Sequence, residues 1–531
     1  MAASVKSHGL LARKMLIKYH GLQSNLWSNS ELLNATNKSC MHNSRSACTI
    51  QNVITTKNIL KINSSRGIYC KHLRHKTSTS ALFIRSDDLD NANVVEPDLN
   101  LSLRLKNVKK LEENLKARKM DRDLKIYELA GEYKFYRDLR EERERIEEAR
   151  ERVSAAVKKL IQKGDTSKDF EARKQALIAK GRELRENLKK KQKIFVELED
   201  KVMSTGTLLP SDLHPDTPIE SHVEMEIGDK PVFQFEPKSH ADLGRLTKTL
   251  EFVPVSPSGY YLKGRLALLD FHLVDLVISR LIEHGLTPFS GPDFVKSLIV
   301  EACGRNFQNP KHVFTLEQKS SNGEPFKEGR HDLTYHLSGG ASPFSFAAYF
   351  SKMNIKSDCL PLKLFSAGHH FIPETVGPVE THGLFGVRQT NRVALFGVTR
   401  DEDEMMSVYR EYKDLLIEMY KEFELPIRVV NVGAPKLLPP EAARTDIEVW
   451  MPSLKSYFRI AHVSSCSNFV SRRLMIKHNE KLDDIYSRNY IHTVHGTALN
   501  ATKLIAAIME NHQTKDGVRN FKVPKILRPL D

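Results

Sequence analysis

The chain has 531 residues, 40% of them hydrophobic and 28% charged, a balance typical of globular proteins and a length sufficient for two or three domains. No apolar run approaches the roughly 18 residues that a membrane-spanning helix requires, so no transmembrane helix is indicated. The net charge of +15 points to nucleic acid, but residues 1–86 carry 13 Lys and Arg against one acid, Glu31, and the remainder is nearly balanced.

Residues 1–90 are rich in Ser, Asn, Lys, Arg and His and poor in acids. The first two dozen can form a helix with Leu10, Leu11, Met15 and Leu16 on one side and Arg13, Lys14 and Lys18 around it. This predicts a mitochondrial transit peptide followed by a disordered basic segment, hence a matrix location; a basic arm that binds RNA is the alternative. Six cysteines, none in a C-x-x-C pair, argue against a zinc ribbon or disulfide framework and for reduced thiols. No metal-ligand motif is recognised.

Residues 100–205 change character, becoming rich in Lys, Arg, Glu and Leu. Leu177, Gly181, Leu184, Leu188, Lys191, Phe195, Leu198 and Val202 follow alternating steps of four and three, a coiled-coil seam flawed at Gly181 and Lys191. Leu139, Ile146, Ala149, Val153, Val157 and Leu160 repeat the habit upstream, and Gly164 with Asp165 or Ser167 supplies a stop and a cap between the two halves. The pattern predicts an antiparallel helical hairpin with arms of roughly 55 Å at about 1.5 Å per residue. Lys189, Lys190, Lys191 and Lys193 are candidates for contacting RNA phosphates, although interleaved glutamates also fit a solvated structural face.

Pro210, Pro215 and Pro218 mark 206–230 as a linker. From 231 to 531 helical stretches such as LALLDFHLVDLVISRLIEHG alternate with strand-like runs such as RVALFGVT, IRVVNVG and DIEVWMP. The prediction is an α+β domain without a P-loop or Rossmann fingerprint.

The C-terminal segment carries a resemblance. Glu448-Val449-Trp450, the Ser464–Asn468 run, Arg472-Arg473, His492-Thr493, Met509-Glu510-Asn511 and Val523–Pro529 follow, in order, motifs of the seryl-tRNA synthetases, a class II aminoacyl-tRNA synthetase family. GYYLKGRLALLDFHLVDLVISRLIEHGLTPFSGPDFV resembles the family's first motif, its dimer-interface helix, and LPLKLFSAGHHFIPE with GLFGVRQTNRVALF resembles the second. The resemblance spans about residues 100–531. It implies an antiparallel catalytic sheet flanked by helices, a tRNA-binding coiled-coil arm and a dimer.

Serine activation needs fixed cations for the ATP phosphates and acids for the serine ammonium. The resemblance implies where these belong, and most are replaced. The family's F-R-x-E reads Phe371-Ile372-Pro373-Glu374, so Ile372 stands where the guanidinium belongs. The T-x-E loop falls on Gly340-Ala341-Ser342, and Gly386 takes the place of the next Arg. The serine-binding acid falls on Ala394, and the acid before S-S-C-S-N on His462. The Asn and Ser of N-G-S-G become His495 and Thr497, and the last Arg becomes Lys503. Only Glu374, Gln389, Ser464, Ser465, Ser467, Asn468, Thr497 and Lys503 remain as a vestigial nucleotide and serine pocket.

No residue is therefore assigned as catalytic and no cofactor is expected, ATP with Mg entering only if nucleotide binding survives. The reading is a non-catalytic paralogue that pairs with the active mitochondrial seryl-tRNA synthetase and touches mitochondrial serine tRNA. The alternatives are a divergent active enzyme and a mitochondrial RNA-binding protein without a synthetase partner.

Overall fold

The computed structural model describes residues 80–82, 95–162, 168–253, 259–316, 334–373, 383–482 and 485–515. Most of the expected transit segment, the hairpin tip with Gly164, Asp165 and Ser167, Glu374, and the tail Val523–Pro529 lie outside these residues.

A short helix, α1 (Val108–Ala117), precedes two long ones, α2 (Ile126–Gln162) and α3 (Lys168–Thr207). Their lengths, 37 and 40 residues, give rods of about 55–60 Å at 1.5 Å per residue. Pairs one turn apart support α2, Arg140–Glu144 and Arg152–Glu148 on its outer surface and Arg143–Glu147 beside the seam, where Arg143 lies over the Phe195 ring. The pairing of α2 with α3 is antiparallel: Val153 meets Gly181, Glu142 meets Lys191, Tyr136 stacks on Phe195, and Glu132 meets Lys201. Phe195 and Val202 are buried on the expected seam. Gly181, a seam flaw, leaves room for the Val153 methyl 3.7 Å from where a Cβ would sit.

The core is built on an eight-stranded sheet. Its strands are β1 (His222–Ile227), β2 (Thr287–Pro288), β3 (Leu362–Phe371), β4 (Gln389–Thr399), β5 (Ile427–Asn431), β6 (Ala443–Met451), β7 (Ser456–Ser465) and β8 (His492–Asn500). They run in the order β1-β5-β6-β7-β8-β4-β3-β2. All pairs are antiparallel except the short β2–β3 contact. The expected strand runs all lie in this sheet, and β1 lies within the segment expected as linker. The remaining linker is docked on the core, with Ser211 N–H donating to the Pro439 carbonyl at 2.7 Å and His214 N–H to that of Ala442 at 3.0 Å.

Alternation along the strands sends successive side chains to opposite faces. One face packs α4 (Arg265–Glu283), α6 (Glu402–Lys421) and α8 (Ala501–Asn511) against Val393, Leu395, Ala461, Val463 and Val494. In α4, Leu266, Leu269, Leu273, Val277 and Leu281 are buried at helical spacing. Side-chain caps start the other two: Asp401 accepts from Glu404 N–H and Asn500 from Lys503 N–H. The opposite face meets α5 (Pro343–Phe350) and α7 (Phe469–Leu474) through Ala394, Phe396 and Val398. Mixed helix and sheet with a long helical region ahead of an antiparallel sheet core is the expected class.

Three arginines, the buried Arg118 and Arg473 and the half-buried Arg104, join arm to core. Arg118 donates to the carbonyls of Ser211, Leu438 and Glu441, and Arg473 to those of Thr207 and Leu209, while Arg104 reaches the carbonyl of Pro210. Arg472 holds the Asp98 carboxylate at 2.7 Å. Cys303 and Cys466 are free and buried, whereas Cys359 is disulfide-bonded, against the expectation of reduced thiols.

Candidate functional site

The second sheet face is where the resemblance places its chemistry. Register explains which residues share it. His462 and Ser464 on β7 lie opposite Thr497 and His495 on β8, and Asp446 and Arg444 on β6 lie opposite His462 and Ser464. On the far side Ala394 of β4 lies opposite Thr497, and Phe396 opposite His495. Residues two apart along each strand face the same way, so these side chains form one surface.

The end of this surface towards α5 is apolar and filled. Phe396 stacks on Phe346 at 4.8 Å and on Phe350 at 6.1 Å between centroids, and Phe289 stacks on Phe346 at 4.9 Å. Ala394 is 1% exposed beside them. Ala341 and Ser342 are fully buried at the start of α5, Ser342 lying 3.4 Å from the Ser338 hydroxyl. Gly340 N–H donates to Asp293 Oδ1 at 2.7 Å. Gly386 is buried with no side chain to offer, and Ile372 N–H is bound to the Arg388 carbonyl at 2.8 Å, with the Arg388 side chain exposed. No guanidinium or carboxylate stands at 342, 372, 386 or 394.

The other end is polar. Arg392 donates to the Thr497 hydroxyl and is buried, which lowers its guanidinium to about 10. Glu441, absent from the sequence-based candidates, is 1% exposed and organises this end. Its Oε1 accepts from Ser464 Oγ at 2.8 Å; its Oε2 accepts from Leu438 N–H at 2.7 Å and Arg444 Nη1 at 3.0 Å. Burial alone would raise its pKa; Arg444 and the Leu438 N–H outweigh that and leave it below the ordinary carboxylate range. Arg444 Nε also lies 3.0 Å from Asp446 Oδ1. Beside Glu441 the rings of His462 and His495 meet edge to face at 5.8 Å. Burial, with Arg459 and Arg392 near, holds His462 well below its ordinary pKa, and burial brings His495 down to about 4.

The remaining sequence candidates divide. Ser464 and Ser465 end β7, and Ser467 and Asn468 form the turn into α7, where Thr493 N–H donates to the Ser467 carbonyl at 3.0 Å. This run is a packed strand end and turn, with Ser464 alone joined to the polar cluster. Gln389 is exposed at the start of β4, away from the others. Lys503 Nζ reaches the Arg459 carbonyl at 3.4 Å. On the arm Lys189, Lys190 and Lys193 are exposed, but Lys191 is turned into the hairpin and bonded to Glu142 at 2.7 Å. Its seam position decides this: a side chain facing α2 finds a glutamate before it finds solvent. Arg473 holds backbone carbonyls and the Phe469 ring, 3.4 Å from its guanidinium carbon.

Comparison with known proteins agrees with this geometry. The class II tRNA synthetase core domain model (G, H, P, S and T) matches residues 336–512. The mitochondrial serine–tRNA ligase of Mus musculus is 30% identical over 405 residues, covering 74% of this chain and 75% of that protein. The serine–tRNA synthetase-like protein Slimp of Drosophila melanogaster is 26% identical over 438 residues, covering 81% and 89%. The seryl-tRNA synthetase of Pyrococcus horikoshii, solved with ATP, shares the fold with a TM-score of 0.66 at 23% identity, over 82% of this chain and 98% of that one. Sheet, arm and ordered motifs together place this chain in the seryl-tRNA synthetase family.

Proposed function

We propose that this protein is a non-catalytic mitochondrial member of its family that pairs with an active mitochondrial seryl-tRNA synthetase and supports charging of mitochondrial serine tRNA. The observation that carries the reading is the filled wall at Ala394, Phe396, Phe346 and Ser342. Where serine and ATP would need acids and guanidinium groups, an aromatic stack and small buried residues stand instead. Each charge-assisted contact is worth about 1.5–3 kcal/mol. Losing contacts at Ile372, Gly386, Ala394 and His462 together lowers turnover by many orders of magnitude, at tenfold per roughly 1.4 kcal/mol.

Pairing is supported by α4, whose outer side exposes Leu268, Phe271 and Ile282 at 54%, 68% and 40%. Large apolar side chains exposed on one side of a helix, here interrupted by Asp275 and Ser279, favour an interaction surface. Contact with RNA is supported by the long arm and its exposed Lys189, Lys190 and Lys193. A mitochondrial location is supported by the acid-poor basic segment and the mitochondrial relatives.

The purified chain is tested for serine-dependent pyrophosphate exchange and co-expressed with the mitochondrial seryl-tRNA synthetase of the same organism. No exchange and co-elution of the two chains are expected, with Phe271→Glu separating them. Clear exchange by the purified chain, or failure to co-elute, overturns the proposal.

A further inference from the structure

The polar end of the sheet face contains two imidazoles and a carboxylate that the lost chemistry does not explain. His462 and His495 sit on adjacent antiparallel strands in diagonal register, and Glu441 approaches from the turn before β6. One ligand atom from each of the three lies within 4.8 Å of the other two. The rings meet edge to face with no hydrogen bond between them, and His495 Nδ1 is shielded from solvent with no partner. A buried ring nitrogen without a partner is costly to leave unsatisfied, so an orphan here asks for an occupant. Glu441 Oε2 already accepts two donors, but Oε1 accepts only Ser464 Oγ, which leaves it a lone pair.

We propose that Glu441, His462 and His495 bind one divalent borderline metal ion of the Zn2+ class, with its fourth position open to water. Two imidazoles and a carboxylate are a donor set that zinc takes readily, at about 2.0–2.2 Å per ligand. Tetrahedral ligation at that length puts ligand atoms about 3.3 Å apart, so the three atoms, now within 4.8 Å of one another, close by up to about 1.5 Å on binding. Ser464 Oγ and Arg444 Nη1 hold the carboxylate in place, as outer partners of a metal ligand do. The nearby guanidinium groups of Arg392, Arg444 and Arg459 oppose a cation, and Asp446, ion-paired to both Arg444 and Arg459, offsets part of that charge. The ion would join β7, β8 and the turn before β6, in the part of the fold that the family uses for its amino acid. The proposal stands apart from the pairing proposed above, because it concerns the isolated chain.

The test uses the full chain, stripped with chelator and titrated with Zn2+, then with Co2+ as a spectroscopic substitute. It is run on wild type, His462→Gln, His495→Asn and the double variant, each checked for fold by circular dichroism. Other histidines and cysteines bind metal nonspecifically, so the wild-type minus double-variant difference is the readout. Expected are one Zn2+ equivalent lost in the double variant, affinity at least about tenfold weaker in each single variant, and loss of the visible Co2+ bands of low-coordinate geometry. Equal stoichiometry and equal Co2+ spectra in wild type and double variant overturn the proposal. If a variant does not fold, X-ray absorption at the zinc edge of the wild-type protein decides. A first shell of two imidazoles with oxygen supports the site, and a shell containing sulfur or oxygen alone overturns it.

Discussion

Replacing Arg118 by Met tests whether the base of the arm is clamped as described. The variant keeps most of the aliphatic stem and removes only the guanidinium. That group is 3% exposed and donates to Asn114 Oδ1 at 3.2 Å and to the carbonyls of Leu438 at 3.2 Å, Ser211 at 3.0 Å and Glu441 at 2.6 Å. Burial lowers its pKa to about 10, so it stays charged at neutral pH. Each charge-assisted bond is worth about 1.5–3 kcal/mol, against a desolvation cost of several kcal/mol that the variant is spared. The net loss is about 3–5 kcal/mol, the range for removing one partner from a buried charged network. At tenfold per roughly 1.4 kcal/mol the open state of the arm–core junction becomes about 100- to 4,000-fold more populated. Limited proteolysis at low protease reports that population. Cleavage within residues 205–221, mapped by mass spectrometry, should accelerate by a factor of that order. An acceleration below about threefold, with an unchanged urea midpoint, refutes the clamp.

Phe396→Ala should cost about 3–5 kcal/mol in urea unfolding, because it empties the centre of the stack with Phe346 and Phe350; a loss below about 1 kcal/mol would mean the wall is not packed as seen. Asp270 is raised above its ordinary pKa by burial, although Asn391 Nδ2 donates to its Oδ2 at 2.6 Å. Ionisation is then harder in the folded chain, so stability falls as pH rises from the unfolded value near 4 through the folded one. Asp270→Asn removes that loss, and its urea midpoint should gain on wild type between pH 4 and 7; a difference constant with pH defeats the argument. Alanine at Lys189, Lys190 and Lys193 together should reduce the salt dependence of serine tRNA binding by about 2–3 in log–log slope, at roughly 0.7–0.9 per phosphate contact. Lys191→Ala should leave that slope unchanged and alter stability by less than about 1 kcal/mol.

Local patterns foretold the elements well, since they depend on near neighbours. The four-and-three steps around Phe195 and Val202 marked the seam, and β-branched runs marked β4, β5 and β6. Ordered motifs after Glu448 pointed to the family. What stayed hidden is long-range. Glu441 lies in a proline turn between Pro440 and Ala442, and nothing nearby in sequence says that Ser464 will bind it. The clamp of Arg118 on carbonyls some 320 residues away leaves no periodic trace. Lys191 was legible as a seam flaw, yet its partner Glu142 follows only from the hairpin register. The meeting of His462 with His495 needs the β7–β8 pairing, which no single strand discloses.

The two-residue repeat of the strands has a consequence for what this scaffold tolerates. At 394, 462 and 495 the side chains face the pocket, while their neighbours 393, 395, 461, 463 and 494 face the helices that carry most of the hydrophobic core. The sheet therefore behaves like a circuit board wired on one side and soldered on the other. Components on the pocket side can be exchanged, acid for alanine or amide for imidazole, without loosening a joint on the helix side. A chain of this build can set aside one chemistry and take up another while the larger of its two core clusters is held by residues that never see the change.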